Sequence, residues 1–224
     1  MLTDFNAAAL ESVPVSVRLP GGLRSSLWNN DSGKGAWGAS RGGTHLGRGR
    51  GWLDGRHAMT STAVSVGLGD IQVFKGPASY TCVGLGSCVG IAALDPETQV
   101  SGLAHIMLPE SFGGDGDRPG KFADHALPAL LDMMGQLGAE PSRVRVAVVG
   151  GAQMFSLGDS PPARLDMGSR NVRAVQEMIE RLGLRCAGEE VGGNLGRTLI
   201  MNAETGEVQV RTILGDKPLC NLRD

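Results

Sequence analysis

The most constraining feature of this 224-residue chain is a glycine turn set ahead of two apolar runs. Cys82-Val83-Gly84-Leu85-Gly86-Ser87-Cys88 leads straight into Val89-Gly90-Ile91-Ala92-Ala93-Leu94. Gly84 and Gly86 carry no side chain, so the backbone can turn tightly there and approach a reacting group closely. The run after Cys88 is continuously apolar, the pattern of a buried strand. Asp95-Pro96-Glu97-Thr98 then returns the chain to Val100–Leu108, which predicts a hairpin that brings His105 back towards Cys88. Pro109 closes that second strand. A cysteine at a glycine turn, with a histidine on the next strand, is the raw material of thiol-nucleophile chemistry. Taken alone, a cysteine in an apolar run is ordinarily a small core hydrophobe.

The remaining pattern predicts an α+β domain over residues 59–215, with mixed β-sheets packed against two main helices. Strands are expected at Ala63–Gly67, Ile71–Phe74, Arg143–Val149, Leu184–Ala187, Thr198–Met201 and Val208–Ile213. Phe122, Ala126, Leu130, Met133 and Leu137 fall at helical spacing and end at Gly138. Val172, Val175, Ile179 and Leu182 mark a second helix, with Arg170-Asn171 opening it and Asn or Ser as its cap. The stretch after Gly215, residues 216–224, reads as a loose tail. His125 reads as a surface residue of the first helix.

Several tempting motifs fail on chemistry. Ser111 to Gly120 contains two aspartates but lacks the ligand run and closing Glu of a calcium-binding EF-hand. Gly150-Gly151 follows a strand, yet no Lys-Ser/Thr completes a phosphate loop. No cysteine or histidine cluster has zinc-ligand spacing. Neither a metal nor a cofactor is expected.

Residues 1–58 differ from the rest. They hold eleven glycines, all three tryptophans and the Arg/Gly stretch Ser40–Gly51. Such composition buries too little apolar surface to offset chain entropy, so a disordered extension is expected. That segment has seven Lys/Arg against four Asp/Glu, a balance of +3; residues 59–224 have fourteen against nineteen, −5. A net charge of −2 argues against nucleic acid as the main partner. No run approaches the roughly 18 apolar residues of a membrane helix, which argues against membrane insertion. No secretory signal is visible, and four cysteines without a disulfide-like pattern fit a reducing cytoplasm.

Six stretches occur in order: Gly84–Val89, Gly102–Pro109, Gly120–Asp124, Gly150–Phe155, Gly168–Val172 and Gly192–Arg197. Together they resemble the CheD family of chemoreceptor glutamine deamidases, from about Val64 to Ile213. The resemblance implies a fold shared with toxin deamidase domains. It also implies a cysteine hydrolase, a protein-glutamine glutaminase, that converts receptor glutamines to glutamates and releases ammonia. Methyl-accepting chemotaxis receptors, through their cytoplasmic helical domains, are the implied partners, and a CheC-type phosphatase is a second. An adaptor that binds receptors or that phosphatase without catalysis is the alternative.

The family's Cys–His–Thr constellation falls on Cys88 and His105, with the third member displaced. Relatives carry Thr six residues before the nucleophile; here that place is Cys82, and Thr81 stands one earlier. A one-residue shift turns a strand side chain to the opposite face. Three arrangements stay open: a bulge re-aims Thr81, Cys82 orients the imidazole, or a backbone carbonyl does so. Backbone N–H groups around Gly86, Ser87 and Cys88 are the natural oxyanion donors.

Overall fold

The computed structural model describes residues 61–111, 118–153 and 166–224. The extension 1–58, residues 112–117 of the 111–120 loop and residues 156–165 of the 156–167 loop therefore lie outside the described residues. Two five-stranded mixed sheets stack face to face, with two α-helices on the outer face of one. The first sheet runs β1 (Thr62–Ser65), β3 (Ala78–Leu85), β8 (Arg197–Asn202), β9 (Glu207–Thr212) and β10 (Gly215–Asn221). The second runs β2 (Ile71–Lys75), β5 (Val100–Ile106), β4 (Val89–Asp95), β6 (Arg145–Gly150) and β7 (Arg185–Val191). The α+β expectation, with mixed sheets and two main helices, is met.

β4 is the central strand of the second sheet, and all seven of its residues are buried, as are those of β5. This explains the unbroken apolar run: both faces of β4 are covered. Ile91, Ala93, Ala104 and Ile106 face the helices α1 (Ala123–Gln136) and α2 (Met167–Arg181). Ala92, Leu94 and Leu103 face the first sheet, where they meet Tyr80, Cys82, Leu199 and Met201. The hairpin turn is held by Asp95, which is fully buried. Its carboxylate accepts from the Glu97, Thr98 and Glu140 N–H groups and from the Arg143 guanidinium.

Two expectations are corrected. Residues 216–224 are not a loose tail: β10 pairs antiparallel with β9, and Leu222 beyond it is fully buried. Lys217 and Pro218 conceal this strand in the sequence, because proline fits only an edge strand or a bulge. The register shifts between Pro218 and Cys220, on the edge of the sheet. The second helix begins at Met167, ahead of the apolar periodicity, and Asp166 caps it by accepting from the Ser169 N–H at 3.1 Å. Asn171 is not its cap.

Candidate active site

Cys88 occupies the turn between β3 and β4, half-buried against the core between the sheets. His105 lies on β5, directly opposite Gly90 in the antiparallel register. Gly90 is two residues beyond Cys88, so Cys88 and His105 share one face and stand one diagonal step apart. Diagonal positions lie roughly 7–8 Å apart at the backbone, a span that an imidazole and a thiol can bridge. The register thus places the backbones of Cys88 and His105 one diagonal step apart at one end of the hairpin.

His105 is 1% exposed, and among the described residues neither ring nitrogen has a hydrogen-bond partner, the Cys88 sulfur included. Burial lowers its pKa, while the Val66 backbone and the Asp70 charge act weakly in the other direction. Burial likewise pushes the Cys88 thiol up from its ordinary value. The resting pair is thus a neutral thiol beside a neutral imidazole, able to accept a proton but not already charged.

Strand parity decides between Thr81 and Cys82. Tyr80 and Cys82 point into the core between the sheets, and Thr81 points away from it, half-buried on the outer face. A register shift does interrupt the β3–β8 ladder, but it falls between Cys82 and Leu85 and leaves Thr81 in regular pairing with Ile200. No bulge re-aims Thr81. Cys82 is the inward residue, and burial followed by the neighbouring Cys88 charge pushes its thiol up to about 12. No hydrogen bond orients the imidazole among the described residues; the Val66 backbone acts on it only by raising its pKa, and Val66 is itself tied to β3 by its N–H donating to Thr81 O at 3.0 Å.

The Cys88 turn is pinned through its carbonyls. Gly86 O accepts from Ala152 N–H at 2.7 Å, and Cys88 O from Gly151 N–H at 2.8 Å. Ser87 O accepts from Asn171 Nδ2 at 2.8 Å. Gly150 and Gly151 both have positive φ, and a side chain on Gly150 would collide with the Cys88 carbonyl. Glycine is therefore required where β6 passes under the turn. The expected oxyanion donors need one correction: Gly86 N–H already donates to Gly84 O at 2.9 Å. Among the described residues, the Ser87 and Cys88 N–H groups have no acceptor.

Among the described residues no group of His, Cys, Asp or Glu could hold a metal ion. His125 is exposed on α1, as expected of a surface residue. Asn171, read as a cap, is instead a buried residue of the site; its link to Ser87 spans 84 positions and leaves no local signal.

Residues 107–212 match the family model described as CheD chemotactic sensory transduction. A protein of Desulforamulus reducens named "Probable chemoreceptor glutamine deamidase CheD" is 43% identical over 157 residues, covering 70% of this chain and 94% of its own. One of the same name from Desulfitobacterium hafniense is 43% identical over 153 residues, 68% of this chain and 95% of its own. Another from Clostridium botulinum is 41% identical over 163 residues, 72% of this chain and all of its own. Among solved structures, the hypothetical protein YfiH of Bacillus licheniformis aligns at a TM-score of 0.32 and 12% identity, over 56% of this chain and 50% of that one.

Proposed function

The chain belongs to the CheD family, and from that premise we propose that it is a chemoreceptor glutamine deamidase with Cys88 as nucleophile and His105 as general base and acid. The catalytic unit is the two-sheet domain with its helices, β10 included. No cofactor enters the reaction. No helix among the described residues is long and apolar enough to cross a membrane. The enzyme meets its substrate at the receptors' cytoplasmic helical domains, and the cytoplasm is where it acts.

The chemistry follows from the two neutral groups. A thiol is a poor nucleophile, so His105 takes the Cys88 proton as the sulfur closes on the side-chain carbonyl carbon of a bound glutamine. The new C–S bond turns the carbonyl oxygen into an oxyanion, which the Ser87 and Cys88 N–H groups meet. The imidazolium gives its proton to the amide nitrogen, the C–N bond breaks, and ammonia leaves. His105 then deprotonates water, which attacks the thioester. Cleavage of the C–S bond releases glutamate, and the proton returns to sulfur. In this reading the Val66 carbonyl takes up an imidazolium N–H once His105 is protonated, the role that Thr plays in relatives.

The observation that carries this reading is the shared face of Cys88 and His105 beside two N–H groups that have no acceptor among the described residues. Mass spectrometry of a receptor signalling domain from the same organism tests it. The wild-type chain adds about one dalton at a defined glutamine, and Cys88→Ala does not. No gain with either protein refutes the enzyme and leaves an adaptor. Co-purification with a CheC-type phosphatase tests the second partner.

A further inference from the structure

Asn171 has no solvent exposure, and its Nδ2 donates to two backbone carbonyls at once. One is Ser87 O at 2.8 Å, inside the nucleophile turn. The other is Met107 O at 2.9 Å, two residues beyond His105. An amide NH₂ has two hydrogens, so both are committed. The helix does not need this side chain, because Asp166 supplies its cap. The orientation is unambiguous as well: a flipped amide would set Oδ1 against two carbonyl oxygens. Among the described residues Oδ1 itself is buried without a partner.

A trans peptide points its C=O and the following N–H in opposite directions. Holding Ser87 O towards Asn171 therefore turns the Cys88 N–H the other way. The Ala152 N–H does the same for the Ser87 N–H by holding Gly86 O. These are the two N–H groups left without acceptors among the described residues. We propose that Asn171 is a positioning residue for deamidation: it aims the Cys88 N–H as an oxyanion donor and locks the nucleophile turn to the strand that carries His105. This inference rests on the deamidase reading above. Asn171 acts through backbone and has no hydrogen bond to the Cys88 sulfur or the His105 imidazole.

The test compares the full chain, Cys88→Ala, Asn171→Ala and Asn171→Asp on one receptor signalling domain. Asn171→Ala lowers kcat about 100-fold and leaves KM within about twofold, because the donor matters once the oxyanion forms. Asn171→Asp keeps the shape but faces two carbonyls with an acceptor, and falls at least as far. Alkylation of Cys88 by iodoacetamide stays within about threefold of wild type, since that reaction has no oxyanion. Equal losses in alkylation and kcat would mean a merely structural role and overturn the proposal, as would wild-type kcat in a folded Asn171→Ala. A measurement on the unaltered chain covers variants that fail to fold. A peptide carrying glutamate γ-semialdehyde forms a tetrahedral adduct on Cys88 and shifts the Cys88 amide proton downfield; an unmoved proton overturns the proposal. An inactive wild type would instead sink the deamidase reading itself.

Discussion

Gly90 stands directly across the β4–β5 ladder from His105, so no side chain opposes the imidazole. A methyl group on Gly90 would sit 3.0 Å from Leu85 Cδ1 and 3.1 Å from Leu199 Cδ2. The space on that face is filled by the two leucines, with His105 paired opposite Gly90. Gly90→Val is expected to overpack it, costing about 1–3 kcal/mol. Deamidation should fall at least about tenfold at temperatures where the variant is still folded, because Gly90 is the residue paired with His105. Thermal unfolding and glutamine turnover, measured together, check this. A folded Gly90→Val with wild-type turnover would refute it.

The raised thiol and lowered imidazole set a pH profile. Without substrate, iodoacetamide alkylation of Cys88 should climb through and beyond the ordinary thiol pKa of about 8.5, with no plateau between about pH 5 and 7. A plateau there would reveal a ready-made thiolate–imidazolium pair. His105 also affects stability. Its folded pKa lies below the ordinary value of about 6.5, so the unfolded chain binds the proton more readily. Stability is full above that ordinary value and is lost as pH falls from it towards the folded pKa. His105→Gln should flatten that stretch of the stability curve.

Cys82 and Thr81 should respond in ways set by their faces. Thr81→Ala, on the outer face, is expected to change turnover less than about twofold and stability by about 0.5 kcal/mol or less. Cys82→Ala removes a small core group and should cost about 1 kcal/mol, with turnover within a few-fold because Val66 still faces the imidazole. A hundredfold loss in Cys82→Ala would make Cys82, rather than the carbonyl, the orienting group.

How much of this was legible depends on range. The β4–β5 hairpin is announced by Asp95-Pro96-Glu97-Thr98 between two apolar runs, and its register sets His105 opposite Gly90, two residues beyond Cys88. The opposite facing of Thr81 and Cys82 follows from the strand period of two, and it is what the fold contains. The start of α2 was misplaced because its first turn, Met167-Gly168-Ser169-Arg170, is mostly polar or small, while the cap lies one residue further back at Asp166. β10 was missed because Gly215, Asp216, Lys217 and Pro218 are poor strand formers, used here at an edge. Asn171 was named, but its two carbonyl partners come from other parts of the chain, and no local pattern marks them.

Asp95 should govern resistance to acid. Burial alone would raise its pKa, but hydrogen bonds from Arg143 and from the Glu140, Thr98 and Glu97 positions outweigh that and hold it well below the usual carboxylate range. Its contribution is therefore present above the unfolded value of about 3.9 and lost as pH falls towards the folded one. Asp95→Ala strands several donors at once and should cost about 2–4 kcal/mol, less than a fully enclosed pair because Arg143 stays partly exposed. A melting temperature within about 2 °C of wild type would contradict this.

The pinning of the Cys88 turn also sets when activity can appear during folding. Its anchors are Ala152, Gly151 and Asn171, the last 84 residues away in the chain. Closing so long a loop is slow and depends on both sheets and α2 having met. The β4–β5 hairpin can form early and bring Cys88 near His105, yet the turn would still lack its restraints. Regain of catalysis on refolding should thus trail the return of secondary structure, which makes turnover a reporter of the last long-range contact rather than of collapse.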